Sequence, residues 1–316
     1  MSPSNIALVT PVFNDWDAFE ILISELSIFA FNNNINIQII AVDDNSDIKK
    51  YPDLIKISKK IKIRIIKLRS NLGHQRAIAI GLCEAFNFKN LDGIVVMDSD
   101  GEDKVDDISS LIKNGNISIV VAKRQSRSES LEFKIFYKLY KFIFKILSGK
   151  KIDFGNFCYI PFNKIESLIY SPSIWNHLAA GIIRSNNPIM KVATSRGNRF
   201  HGKSKLNFTD LVLHGLGAMS VFIDLIFTRL LYFLIIFISI IFLLAIFILI
   251  IKFITTLSTP GWTTTLLGIL LTVGLQAIII TLISAFMVLN ARTTKLFIPA
   301  KDSSFFILKR IDIGAN

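Results

Sequence analysis

Asp98 and Asp100 stand two residues apart where the apolar run Gly93 to Met97 ends, in the stretch Val95-Val96-Met97-Asp98-Ser99-Asp100-Gly101-Glu102-Asp103. Carboxylates packed this closely repel one another, so folding alone gives no reason for the cluster, whereas a bound cation does. Hard oxygen ligands suit Mg2+ or Mn2+, and Mg2+ is commonly held by one or two carboxylates together with substrate phosphates. Asp98 and Asp100 are therefore candidates to seat a divalent ion that neutralises a departing diphosphate. Arg124 and Arg127, close together in AKRQSR, add positive charge for the same group, and Asp44 can hold a ribose or a base. No glycine pattern in the chain forms the phosphate-cradling loop of ATP-hydrolysing proteins.

These side chains need a scaffold that brings them together. Apolar runs bounded by turn residues predict strands at Ile6–Val9, Ile37–Val42, Ile61–Leu68, Gly93–Met97 and Ser118–Ala122. Helical periodicity predicts helices over Trp16–Phe31, His74–Phe86 and Asp106–Lys113. Strand-helix alternation with continuously apolar strands predicts an α/β fold, a mostly parallel sheet flanked by helices on both faces. Such sheets bind ligands at the carboxyl ends of their strands. The polar stretches fall there: Thr10–Asp15, Asp43–Ser46, Arg69–Arg76 and Asp98–Asp100 follow the first four strands in turn.

The 316-residue chain is 51% hydrophobic with a net charge of +12, and its apolar residues are unevenly spread. Leu230–Ile251 and Leu266–Leu289 carry no charge. Each exceeds the roughly 20 residues that a helix needs to cross the hydrocarbon core, which predicts a transmembrane hairpin. Lys252 is the single charge in the connection Lys252–Thr265, while Arg229, Arg292, Lys295 and Lys301 flank the other side. The positive-inside bias then puts both termini in the cytoplasm, in a multi-pass protein of the cell inner membrane. In Glu132–Ser148, Lys134, Lys138, Lys141 and Lys145 form one helical stripe among aromatic residues, as suits the surface of an anionic bilayer. The expected organisation is a cytoplasmic domain over residues 1–207, a juxtamembrane amphipathic helix over 208–229, spans over 230–251 and 266–289, and a cytoplasmic tail over 290–316. Alternating apolar residues in Phe297–Asn316 predict a small strand pair there. Cys83 and Cys158 read as small buried residues in a reducing compartment. No signal peptide is expected, because Ile6–Val9 reads as the first strand of the fold.

Taken in order, TPVFND, VDDNSD, RSNLGHQRAIAIGL, VVMDSDGED, KIDFGNF and RFHGKSKLNF resemble family-2 glycosyltransferases of the dolichyl-phosphate mannose synthase and bacterial polyprenyl-phosphate glycosyltransferase type. The resemblance runs from about Ile6 to Val221, and the two-span tail is similar to that of the bacterial members. It implies a GT-A fold and a UDP- or GDP-sugar donor, with Pro11 and Asp44 near the nucleotide. It implies Mg2+ or Mn2+ on Asp98 and Asp100, with Arg124 and Arg127 on phosphate. It further implies that Lys203, Ser204 and Lys205 belong to a mobile loop closing over the site, beside the membrane. The implied reaction moves a single sugar to polyprenyl (undecaprenyl) phosphate at the cytoplasmic face, for cell-surface glycan assembly. No tryptophan follows an arginine, unlike in the processive synthases, so transfer of one sugar per event is expected. No nucleic-acid partner is expected, and a homo-oligomer is allowed.

Two departures bear on the acceptor. Asn156 stands where many such enzymes carry an aspartate, and Gly101-Glu102-Asp103 replaces the usual Leu-Gln-Asp. A phosphate acceptor is already anionic, since its second pKa is about 6. A hydroxyl acceptor wants a positioned carboxylate, for which Asp153 and Asp103 are both candidates. The alternatives are transfer to a hydroxyl of a lipid-linked or polysaccharide acceptor, and a non-catalytic membrane partner that binds nucleotide-sugars.

Overall fold

Every residue of β1 (Asn5–Val12) after Asn5 is buried, and the strand faces two cores at once. Ile6 and Leu8 join one core cluster and Ala7 and Val9 the other, following the two-residue period of a strand covered on both faces. The computed structural model describes residues 4–47, 51–52, 54, 61–88, 90–115, 117–124, 131–201, 208–255 and 259–314. It divides into two units, one of Met1–Tyr137, Ile152–Val221 and Phe297–Asn316, the other of Lys138–Lys151 and Phe222–Leu296.

In the first unit, β2 (Asn36–Asp43), β3 (Lys62–Leu68), β4 (Gly93–Val96), β5 (Ile119–Arg124), β6 (Cys158–Pro161), β7 (Ile189–Thr194) and β8 (Ile307–Ile313) complete one sheet. Its order is β7-β5-β6-β4-β1-β2-β3-β8. The pairs β1–β2, β1–β4, β2–β3 and β5–β7 are parallel, and β3–β8, β4–β6 and β5–β6 antiparallel. The predicted mostly parallel sheet is present. Helix α1 (Trp16–Asn33) covers one face through Phe19, Leu22, Ile23 and Leu26, and α2 (His74–Phe86) the other through Ala77, Ile78 and Leu82. Each fully buried side chain of this size contributes about 1.5–3 kcal/mol. Helix α2 sits close on β1: a Cβ at Gly81 would fall on the side chains of Val9 and Val42. Helix α3 (Asp107–Lys113) buries Ile108, Leu111 and Ile112 beside α1.

Strand order reverses between β1 and β4, the switch point at whose carboxyl edge such sheets open a crevice. The C-terminal residues predicted as a strand pair form one strand instead, β8, added antiparallel to β3. Arg64 grips Asp312 at 2.6 and 3.0 Å, and Arg310 grips Glu84 of α2 with two bonds of 2.8 Å. These pairings give the last strand a partner that is remote in sequence. Among the described residues, the remaining α-helices of this unit are α5 (Phe162–Ile169), α6 (Ser173–Asn176), α7 (Leu178–Arg184), α8 (Phe208–Ser220) and α11 (Pro299–Asp302).

Helix α4 (Leu131–Ser148) begins in the first unit and runs into the second. From Lys138 onward it exposes lysines and apolar side chains alike, among them Leu139, Phe142 and Ile143. In the second unit α9 (Ile223–Ile254) and α10 (Trp262–Thr293) are each long and apolar enough to cross a membrane. Helix α9 starts inside the stretch read as juxtamembrane, because no glycine or proline interrupts it between Ile223 and Ile254. Most side chains of both helices are exposed, Phe253 and Phe286 at 78% and 70%, which is the surface expected of lipid-facing residues.

Candidate active site

The loop after β4 carries the acid cluster at the switch point, and basic side chains thread it. Arg124, at the end of β5, lies 2.7 Å from Asp103 and 3.6 Å from Glu102. Arg199 lies 2.9 Å from Asp15 and 3.3 Å from Asp100, and Arg196 lies 2.6 Å from Glu102. The backbone N–H groups of Gly197 and Phe200 donate to the carbonyls of Glu102 and Asp100. Gly101 permits this junction twice over. Its φ of +84° suits glycine, and a Cβ there would stand 2.6 Å from the Phe200 ring.

The charges respond to this crowding. Burial, then the charge of Asp98, raises the carboxyl of Asp103 to about 6 against the pull of Arg124. Asp100 is raised by burial and by Asp98. Burial pushes Asp98 upward as well, but His74, Arg124 and His214 outweigh it and hold Asp98 below the usual carboxylate range. Asp98 Oδ1 is buried and makes no hydrogen bond, although His74 Nε2 lies 3.2 Å away. A bare, buried, ionised oxygen beside a second carboxylate is the chemistry of a cation seat. Among the described residues no three His, Cys, Asp or Glu side chains converge as a ready-made metal cage. Asp98 and Asp100 would therefore hold the ion as a pair, which fits Mg2+, an ion that keeps water and substrate phosphates as its other ligands.

The structure puts Asp44 to a different immediate use. Its two oxygens accept the N–H groups of Leu72 and Gly73, at 2.7 and 2.9 Å, which anchors the loop leading into α2. Pro11 is the penultimate residue of β1 and its carbonyl accepts from Ser99 at 3.2 Å, so β1 and the acid loop meet. Asp153, a candidate base, lies 2.7 Å from Lys191 and 3.8 Å from Lys123. Asp103, the other candidate, belongs to Arg124. Arg127, Lys203, Ser204 and Lys205 lie outside the described residues.

Sequence reasoning assigned no role to Arg196, Arg199 or His214, and took His74 and Gln75 only as part of the polar stretch Arg69–Arg76. Arg199 precedes the predicted basic loop, and its matching acids are more than ninety residues away, so only the fold reveals the pairing. His177 Nδ1 accepts from Ala180 N–H at the start of α7, and its ring lies tilted by 39° against His214 with centroids 4.3 Å apart. Cys83 and Cys158 are buried free thiols, as read from the sequence.

A family model described as glycosyl transferase family 2 matches residues 7–166, just over half of the chain. The undecaprenyl-phosphate 4-deoxy-4-formamido-L-arabinose transferase of Photorhabdus laumondii is 26% identical over 155 residues, covering 48% of this chain and 46% of that protein. The chain thus spans about half the length of this curated relative. The glucosyl-3-phosphoglycerate synthase of Mycobacterium tuberculosis, solved with Mn2+ and UDP-glucose, matches 70% of this chain and 79% of its own at 12% identity, with a TM-score of 0.50. The same enzyme solved with phosphoglyceric acid in addition matches 71% of this chain and 80% of its own, at the same identity and TM-score. At this identity the likeness is one of fold.

Proposed function

The chain belongs to glycosyl transferase family 2, and on that premise we propose that it transfers one sugar, with inversion, from a UDP- or GDP-sugar to polyprenyl phosphate at the cytoplasmic face of a membrane. One observation carries the proposal: at the switch point of a family-2 sheet, Asp98 Oδ1 is buried, ionised and without a hydrogen bond. Asp98 and Asp100 would hold Mg2+ or Mn2+, which supplies neutralising charge for the departing nucleoside diphosphate. Mn2+ and UDP-glucose in a neighbour of the same fold support this assignment. Arg124, steadied by Asp103 and Glu102, contributes positive charge at the same edge, and Arg127, Lys203, Ser204 and Lys205 are assigned to phosphate.

The acceptor follows from the state of the acids. Asp103 and Asp153 are each engaged by a cation, which suits a nucleophile that needs no base. A phosphate monoester is that nucleophile, being anionic near neutral pH. The relative that acts on undecaprenyl phosphate supports the same choice. Helices α9 and α10 are assigned to the bilayer. The exposed Val212, Leu213 and Leu216 of α8 and the exposed lysines of α4 are assigned to its surface.

The test is transfer of label from UDP- and GDP-sugars to undecaprenyl phosphate by the purified full chain, with and without Mg2+ or Mn2+, and a mass spectrum of the lipid product. Metal-dependent formation of a mild-acid-labile lipid phosphate sugar is expected. An alkali-stable product on a hydroxyl acceptor would replace the acceptor assignment, and no transfer from any donor would remove the enzyme.

A further inference from the structure

Asp153 keeps only 11% of its side chain exposed, yet two ammonium groups reach it from solvent. Lys191 Nζ lies 2.7 Å from Oδ1 and Lys123 Nζ 3.8 Å from Oδ2, so the one carboxylate bridges two lysines. The sheet sets up the pair. Strands β5 and β7 run parallel, with Val121 opposite Lys191 and Lys123 opposite Ala193. Side chains two residues apart on a strand share a face, so Lys123 and Lys191 are diagonal neighbours. Their face is the one that Ile119 and Val121 turn to the core shared with α2.

The pair adjoins the acid loop. Arg124, the residue after Lys123, grips Asp103. Asn156, three residues after Asp153, is hydrogen-bonded to Gln75 at the start of α2. Exposed ion pairs add little stability, so the fold gives no reason to set two lysines on one acid. With 54% and 42% of the lysine side chains exposed, the excess positive charge faces solvent. A phosphate monoester matches it: like the carboxylate it offers oxygens to two ammoniums, and it carries up to twice the charge.

We propose that Lys123 and Lys191 form a clamp for a phosphate monoester, the head of the lipid acceptor, and that Asp153 is the counter-ion which the phosphate displaces. The inference rests on the acceptor proposed above and adds two residues to its recognition. It makes Asp153 a holder of the lysines and not a base.

The test is binding of geranyl phosphate, an isoprenyl monophosphate with a short chain, to the purified full chain, followed by phosphorus NMR line broadening without donor. Lys123→Met and Lys191→Met should each weaken binding on the order of 10-fold, the scale of losing one charge-assisted hydrogen bond. Lys191→Arg should keep most of it. A lysine that only guards the edge strand β7 from pairing would leave binding unmoved. Asp153→Asn should tighten binding several-fold, by removing the competing carboxylate; weaker or unchanged binding would end the counter-ion role. Two further probes separate the sources of phosphate. Inorganic phosphate should bind more weakly than geranyl phosphate, and equal affinity would make the clamp a site for free anions. UDP with Mg2+ should keep its affinity in both Met variants, and an equal loss would give the lysines to the donor. Geranyl phosphate binding indifferent to both lysine substitutions overturns the clamp and leaves the phosphate acceptor standing. No binding to the unsubstituted chain overturns the acceptor reading itself.

Discussion

Asp98 and Asp100 crowd one strand end, and the charge of Asp98 raises the cost of ionising both Asp100 and Asp103. Replacing either with Asn removes a repulsion and a cation ligand together. Asp98→Asn and Asp100→Asn are expected to lower kcat/KM on the order of 100-fold or more, the scale of losing a preorganised electrostatic contact, without a fall in Tm. Retention of most activity in both would mean that the pair serves the fold. His177 gives a second prediction at this scale. Burial, then the neighbouring His214 and His74, push its pKa from 6.5 down to about 3. Between those values the unfolded chain binds the extra proton, so stability from this ring is complete above about pH 6.5 and is lost as pH falls toward 3. His177→Asn keeps an acceptor for Ala180 N–H. It should hold Tm near neutral pH and flatten the decline of Tm on acidification to about pH 5; an unchanged decline would assign the acid sensitivity elsewhere.

Helix α2 is the element on which the site depends. Its N-terminus carries His74 and Gln75, its middle lies against β1 at Gly81, and its C-terminal turn holds Glu84 in the grip of Arg310. Gly81→Ala should cost about 1–3 kcal/mol, the usual penalty for overpacking a tight contact, read as a drop in Tm. Arg310→Ala leaves the buried Glu84 carboxylate without its bidentate partner. Arg310 is half-exposed, so solvent screening limits the loss to about 1–2 kcal/mol. Arg310→Lys should recover only part of it, because an ammonium lacks the planar fork. Both substitutions test whether the last strand steadies the helix that bears His74 and Gln75.

On the scale of the whole molecule, charge and hydropathy divide the chain between water and lipid. If both ends of the hairpin are cytoplasmic, the turn around Pro260 emerges on the opposite side. The buried Cys83 and Cys158 should stay unlabelled in intact cells. A cysteine introduced by Thr259→Cys should therefore react with an impermeant maleimide added from outside and with nothing confined to the cytoplasm. Labelling only after the membrane is opened would reverse the topology. Removing divalent metal with a chelator should abolish sugar transfer, and Mg2+ or Mn2+ should restore it; transfer that survives chelation would sink the cation seat.

The amino-acid sequence alone determined the features that local pattern encodes. The strands β1 to β5, the helices α1 to α3 and the two long apolar helices follow from two-residue or helical periodicity over contiguous residues, as does the placing of Asp98 at a strand end. The tertiary structure alone decided which distant groups meet. Strand β6 finds its partners β4 and β5 across the intervening helix α4, β7 is a largely exposed strand at a sheet edge, and β8 pairs with a strand more than two hundred residues earlier, so none has a local signature of its partner. The same holds in the site. Arg199 finds Asp100 and Asp15, and hydrogen bonds run from Leu178 N–H through Gln75 and Asn156 to His74. Hydrogen bonds and ion pairs act over about 3 Å in space, whatever the separation along the chain.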